Sequence, residues 1–79
     1  MLAAQDEILV EARGHFCPTP TLRLRRAAER APAGTVLKLI ADDPMAKIDA
    51  PHFAGEAGLE ILSISDEAGV VTVRVRKPV

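Results

Sequence analysis

The sequence holds a single cysteine, Cys17, and two histidines, His15 and His52. Cys17 lies in Ala12-Arg13-Gly14-His15-Phe16-Cys17-Pro18-Thr19-Pro20, just ahead of a stretch with helical periodicity. Pro18 and Pro20 each carry a φ preset for a first helical turn and lack an N–H that would go unpaired there. The thiol therefore falls at or just before a helix N-terminus. Free backbone N–H groups and the positive end of the helix dipole favour an anion at such a place. A thiolate is stabilised there and its pKa should fall, which suits a nucleophilic or group-carrying cysteine. The competing reading is a small buried hydrophobe, which most free cysteines are. Against it stand the glycine-containing loop, the proline-rich helix start and the lack of an apolar stripe around Cys17. On the residues alone the two readings balance.

The other polar groups suggest less. His15, two residues from Cys17, could lower its pKa or donate a proton, but a histidine in a loop is usually just solvated. His52 reads as a solvated helix residue. Asp42, Asp43 and Asp49 invite a metal reading, yet aspartate before proline at a helix start is ordinary capping, and no spacing here resembles a ligand set. Gly55 and Gly58 make no phosphate-binding loop. Neither a metal nor a resident cofactor is expected.

The elements that must position Cys17 follow from periodicity. Ile8-Leu9-Val10 is a short β-favouring run closed by a turn at Gly14. From Thr19 to Ala31, Leu24, Ala27, Ala28 and Ala31 form one apolar helical stripe, which Pro32 and Gly34 end. Val36 to Ile40 is a central strand. Asp42-Asp43-Pro44 opens a second helix, which is expected to kink or restart at Pro51, with Asp49 or Ala50 near the new cap, and to close at Gly58. Leu59 to Ser65 is a third strand and Asp66-Glu67-Ala68-Gly69 a tight turn. Val71, Val73 and Val75 then alternate with Thr72, Arg74 and Arg76 as the fourth strand. The order β-α-β-α-β-β, with one apolar face on the last strand, predicts an α/β (α+β) two-layer sandwich. Its sheet is four-stranded and mixed, with both helices on one face.

At 79 residues the chain, 1–79, is one domain without room for a second core. With one cysteine no internal disulfide can form, so stability rests on packing among its 48% hydrophobic residues. Ten basic and eleven acidic residues give a net charge of −1, and there is no Trp or Tyr. Neither fact suits binding to nucleic acid. The acidic N-terminus lacks the build of a signal peptide, no apolar run reaches membrane-spanning length, and a lone thiol fits a reducing compartment. The expectation is a cytoplasmic monomer with no membrane contact and no direct nucleic-acid contact.

Arg13-Gly14 followed by Cys17-Pro18-Thr19-Pro20 resembles the Cys-Pro-x-Pro signature of the TusA (SirA-like) sulfur-carrier family. The likeness continues through Ala41-Asp42-Asp43-Pro44-Met45-Ala46, Asp49-Ala50-Pro51-His52-Phe53, Gly58-Leu59-Glu60 and Val75-Arg76-Lys77, collinear over essentially the entire chain. The resemblance implies a β-α-β-α-β-β sandwich and a sulfurtransferase activity. In that activity Cys17 would accept a sulfane sulfur as a persulfide and relay it to an acceptor protein. Family members serve tRNA thiolation, sulfur oxidation and cofactor maturation. The partners implied are a donor of the cysteine desulfurase or rhodanese type and an acceptor protein. Ala54 stands where many members carry a second cysteine, His15 fills a slot that is usually apolar, and Thr21 replaces an aliphatic residue.

With one thiol the chain cannot expel sulfur by forming its own disulfide, so the acceptor must bring the nucleophile. Arg13, Gly14, Pro18 and Pro20 are expected to shape the loop. Leu22, Arg25 and Arg26, on the solvent side of the first helix, are the candidate docking residues, with Asp43 on the same rim. A solvated charged helix face with a stray leucine is the plainer alternative. The rival functions are a non-catalytic interaction or regulatory module of the same fold, an RNA-binding domain, and a carrier in selenium metabolism or redox sensing.

Overall fold

The computed structural model describes residues 7–14 and 19–78. The chain runs β1 (Glu7–Glu11), α1 (Thr19–Arg30), β2 (Val36–Ala41), α2 (Ala46–Ala57), β3 (Glu60–Glu67) and β4 (Val70–Arg76). The strands form one sheet in the order β1-β2-β4-β3. β1 is parallel to β2, and β4 is antiparallel to both β2 and β3. β3 therefore runs with β2 but is not its neighbour, because β4 inserts between them. This is the mixed two-layer sandwich that the sequence predicts.

The period of two in the central strands builds the core. Leu37, Leu39 and Ala41 of β2 and Val71, Val73 and Val75 of β4 are buried on one face. The helices cover that face, α1 over β1 and β2, α2 over β4 and β3. On α1 the buried residues are Pro20, Leu24, Ala28 and, just beyond its end, Ala31, with Ala27 packed beside them. The other sheet face keeps charged side chains paired across strands. Arg76 meets Glu60 directly opposite on β3, and Arg74 reaches Glu7 at 3.1 Å.

α2 departs from one of the two forms expected of it, the restart at Pro51. It runs unbroken through Pro51, with no restart at Asp49 or Ala50. Proline has no N–H to offer the carbonyl four residues back, so one rung of the ladder is missing. The helix persists because Ala46, Ala50 and Ala54 form a fully buried stripe of small residues that lies close on the core. Gly58, with φ 77°, ends it: its N–H and that of Leu59 return to the carbonyls of Gly55 and Ala54, a Schellman closure. Lys77 serves α1 in a similar way, its Nζ donating to the carbonyls of Ala28 and Ala31 at 2.8 Å. A cation there also meets the negative end of the helix dipole.

β3 reaches Glu67, beyond the expected end at Ser65, and the turn shrinks to Ala68 and Gly69. Both have positive φ, the pattern of a two-residue hairpin loop that lets the ladder close to its last pair, Glu67 with Val70. Among the described residues no helix is long and apolar enough to cross a membrane.

Candidate functional site

Because β1 and β2 are parallel neighbours, the loops that follow them leave the same end of the sheet side by side. Open α/β sheets place their sites outside the carboxyl ends of such strands. Two bonds join the loops here. Ala12 N–H donates to the Ile40 carbonyl at 2.8 Å, extending the β1–β2 ladder by one step. Gly14 N–H then donates to the Asp42 carboxylate, 2.9 Å to Oδ1 and 3.1 Å to Oδ2. Gly14 has φ 87°, a left-handed conformation that glycine adopts without a Cβ penalty.

Arg13 is folded back along β1 rather than forward into the loop. Its Nε and Nη2 donate to the two carboxylate oxygens of Glu11 at 2.8 and 2.7 Å, and its backbone N–H donates to Oε2 at 3.1 Å. The Arg13 side chain, helped by that backbone N–H, lowers the Glu11 carboxyl from 4.5 to about 2. The same contact raises the Arg13 guanidinium. Both residues are exposed, so the pair acts as a local brace at the loop entrance and adds little global stability.

His15, Cys17 and Pro18 lie outside the described residues. α1 begins at Thr19, two residues after Cys17 in sequence, and its first turn contains no acidic side chain. Pro20, its second residue, is fully buried and pins the helix start to the core. His52 is exposed, with its Nε2 3.4 Å from Glu56.

The candidate docking residues separate. Leu22 is 53% exposed. Arg25 is exposed and its Nε lies 3.3 Å from Glu29 one turn on, while Arg26 is exposed with no acidic partner among the described residues. Asp43 is not on a rim: it is 8% exposed, its carboxylate accepts the Met45 N–H at 3.0 Å and its carbonyl accepts that of Ala46. It builds the turn into α2. Asp42 is the aspartate that faces out and meets the cysteine loop. The alternation of β2 carries this information, since Leu37, Leu39 and Ala41 point inward, placing residue 42 outside and residue 43 inside. Sequence reasoning also passed over Met45 and Ile48, which are exposed at the start of α2, Ile48 at 62%.

A family model described as Sulfurtransferase TusA matches residues 8–77. A sulfur carrier protein TusA from Pseudomonas savastanoi pv. phaseolicola is 37% identical over 71 residues, which span 90% of this chain and 84% of that protein. One from Pseudomonas entomophila is 38% identical over 68 residues, spanning 86% of this chain and 85% of that protein. A putative sulfur carrier protein from Archaeoglobus fulgidus is 34% identical over 68 residues, spanning 85% and 88%. The crystal structure of a SirA-like protein from Desulfitobacterium hafniense superposes with a TM-score of 0.79 at 26% identity, over 91% of this chain and 99% of that one. With the fold, the loop pair and these relatives in agreement, the chain belongs to the TusA sulfurtransferase family.

Proposed function

We propose that this chain is a single-cysteine sulfur carrier that holds a sulfane sulfur as a persulfide on Cys17 and passes it to an acceptor protein. The observation that carries the reading is the family membership, whose relatives are named sulfur carrier proteins. The local architecture supports it. Cys17 falls in sequence between the Gly14–Asp42 tie and the start of α1 at Thr19, whose first turn has no carboxylate to oppose an anion.

The Cys17 thiolate attacks the terminal sulfur of the donor's cysteine persulfide. The donor S–S bond breaks, the donor leaves as a thiolate, and Cys17 becomes the persulfide. The acceptor's thiolate then repeats the attack on the terminal sulfur and Cys17 is regenerated. Neither step changes the overall oxidation level, so the relay needs no resident cofactor, and the sulfur is cargo. A donor of the cysteine desulfurase or rhodanese type and an acceptor bearing a thiol dock in turn near Cys17. Leu22 and Arg26 of α1 serve this docking, with Arg25 at its margin, and exposed Met45 and Ile48 lie beyond the Asp42 loop. The lone thiol suits work in a reducing compartment such as the cytoplasm.

The test is onward transfer. Carrier preloaded with labelled sulfane sulfur, freed of donor, is expected to keep its label until a thiol-bearing acceptor is added, and then to lose it stoichiometrically. Loss of the label from the isolated loaded chain before any acceptor is added, or loading of a Cys17→Ser variant to the wild-type level, contradicts the reading.

A further inference from the structure

The outer edge of β1 is an unfinished ladder. Ala12 bonds inward to Ile40, so in a parallel pair the alternate residues Ile8 and Val10 also turn their amides toward β2. Glu7, Leu9 and Glu11 turn their N–H and C=O groups outward, and no described residue takes them. Beside this edge lies an open groove of about 530 Å³, lined by Leu9 and Glu11 on the strand and by Leu22, Arg23, Arg26 and Arg30 on α1. We propose that this edge and the arginine row beside it form a strand-addition site for an extended acidic segment of a partner protein. The site goes beyond the carrier reading and does not require that Cys17 hold sulfur.

Charge selects the occupant. Arg25 is engaged by Glu29, and the two carboxylates of the edge strand are engaged as well, Glu11 by Arg13 and Glu7 by Arg74. Arg23, Arg26 and Arg30 have no acidic partner among the described residues, so the groove is cationic although the whole chain carries −1. A second copy fits poorly. Antiparallel pairing of two β1 strands centred on Leu9 would set Glu7 against Glu11 and bring the two arginine rows together. A polyphosphate backbone would satisfy the arginines but has nothing to offer the alternating N–H and C=O groups of the edge. An extended peptide satisfies both. Its backbone continues the sheet, every second side chain meets the arginines as a carboxylate, and the intervening ones lie beside Leu9, which is 57% exposed.

The test uses the full chain, labelled with nitrogen-15, and a seven-residue peptide that alternates glutamate with valine. Saturable shifts along β1 and α1 are expected, with amide exchange at Leu9 slowed by about tenfold or more at saturation, since only backbone pairing protects that outward N–H. Reversing two charges, Arg23→Glu with Arg30→Glu, should weaken binding by about tenfold or more. Leu9→Pro, which removes an outward N–H without breaking the β1–β2 ladder, should abolish the protection. If that variant fails to fold, the charge-reversal pair still decides. The proposal is overturned if the arginines shift while Leu9 exchange does not. It is equally overturned if a single-stranded RNA oligonucleotide displaces the peptide at equal concentration, or if Leu9 is protected without peptide in a self-associated chain.

Discussion

Replacing Asp42 with alanine removes the carboxylate that holds the Gly14 N–H at 2.9 and 3.1 Å. A hydrogen bond to a charged group contributes about 1.5–3 kcal/mol when water cannot replace it. Asp42 and Gly14 are both exposed, so water takes over the freed groups, and the loss falls to about 1 kcal/mol. For a domain of this size that lowers Tm by about 4–8 °C. The local effect is sharper. The bond closes the loop that leads into Cys17, so the same energy should raise amide exchange at Gly14 by about fivefold and slow sulfur acceptance by Cys17 to a similar degree. Asp42→Asn keeps one acceptor oxygen but loses the charge and should show about half of each effect. Urea unfolding, hydrogen exchange by NMR and a sulfur-loading time course give three independent readings. Unchanged Gly14 exchange in Asp42→Ala, or an asparagine variant worse than alanine, would refute the idea that this carboxylate holds the cysteine loop.

Glu11 gives a pH signature. Its carboxyl is lowered in the folded chain from 4.5 to about 2, so the unfolded state binds more protons between those values. The stability this group contributes is present above about pH 4.5 and is lost as pH falls through about 2. NMR titration of the Glu11 carboxyl should show the low midpoint, and Arg13→Ala should return it to the ordinary carboxylate range. At the β3–β4 turn, Ala68 holds φ 53°, where a Cβ is unfavourable by roughly 1–2 kcal/mol. Ala68→Asn supplies the Asn-Gly pair that two-residue hairpin loops prefer, and should gain about 1 kcal/mol in urea unfolding. No gain would mean that the turn does not hold that conformation.

The fold was legible wherever burial imposes a period. The stripe of Leu24, Ala28 and Ala31 and the valines of β4 each pointed to the face that the structure buries. α2 was harder because its sizes are inverted: the buried positions are alanines, while Ile48 and Met45 face solvent. A hydrophobic count therefore finds no stripe, and Pro51 stands out as a break when it removes only one rung. The hairpin was misplaced by two residues because Asp66 and Glu67 look like turn residues, yet the edge strand tolerates charge and Lys47 pairs with Asp66 at 2.9 Å. At the site, Cys17 and the exposed side of α1 could be marked from residue types and spacing. The Asp42–Gly14 tie spans two loops and needs the parallel pairing of β1 and β2 to become visible. The same holds for the β1 groove, since whether a strand lies at an edge is a property of the sheet order.

The central claim is that one sulfur atom rides on one side chain. Intact-mass spectrometry of the chain after incubation with a cysteine desulfurase and cysteine, followed by peptide mapping without reductant, measures this directly. The expected result is a gain of one sulfur on the Cys17 peptide, reversed by a reducing thiol and absent from Cys17→Ser. An unmodified Cys17 in the presence of active desulfurase and a rhodanese donor would contradict it.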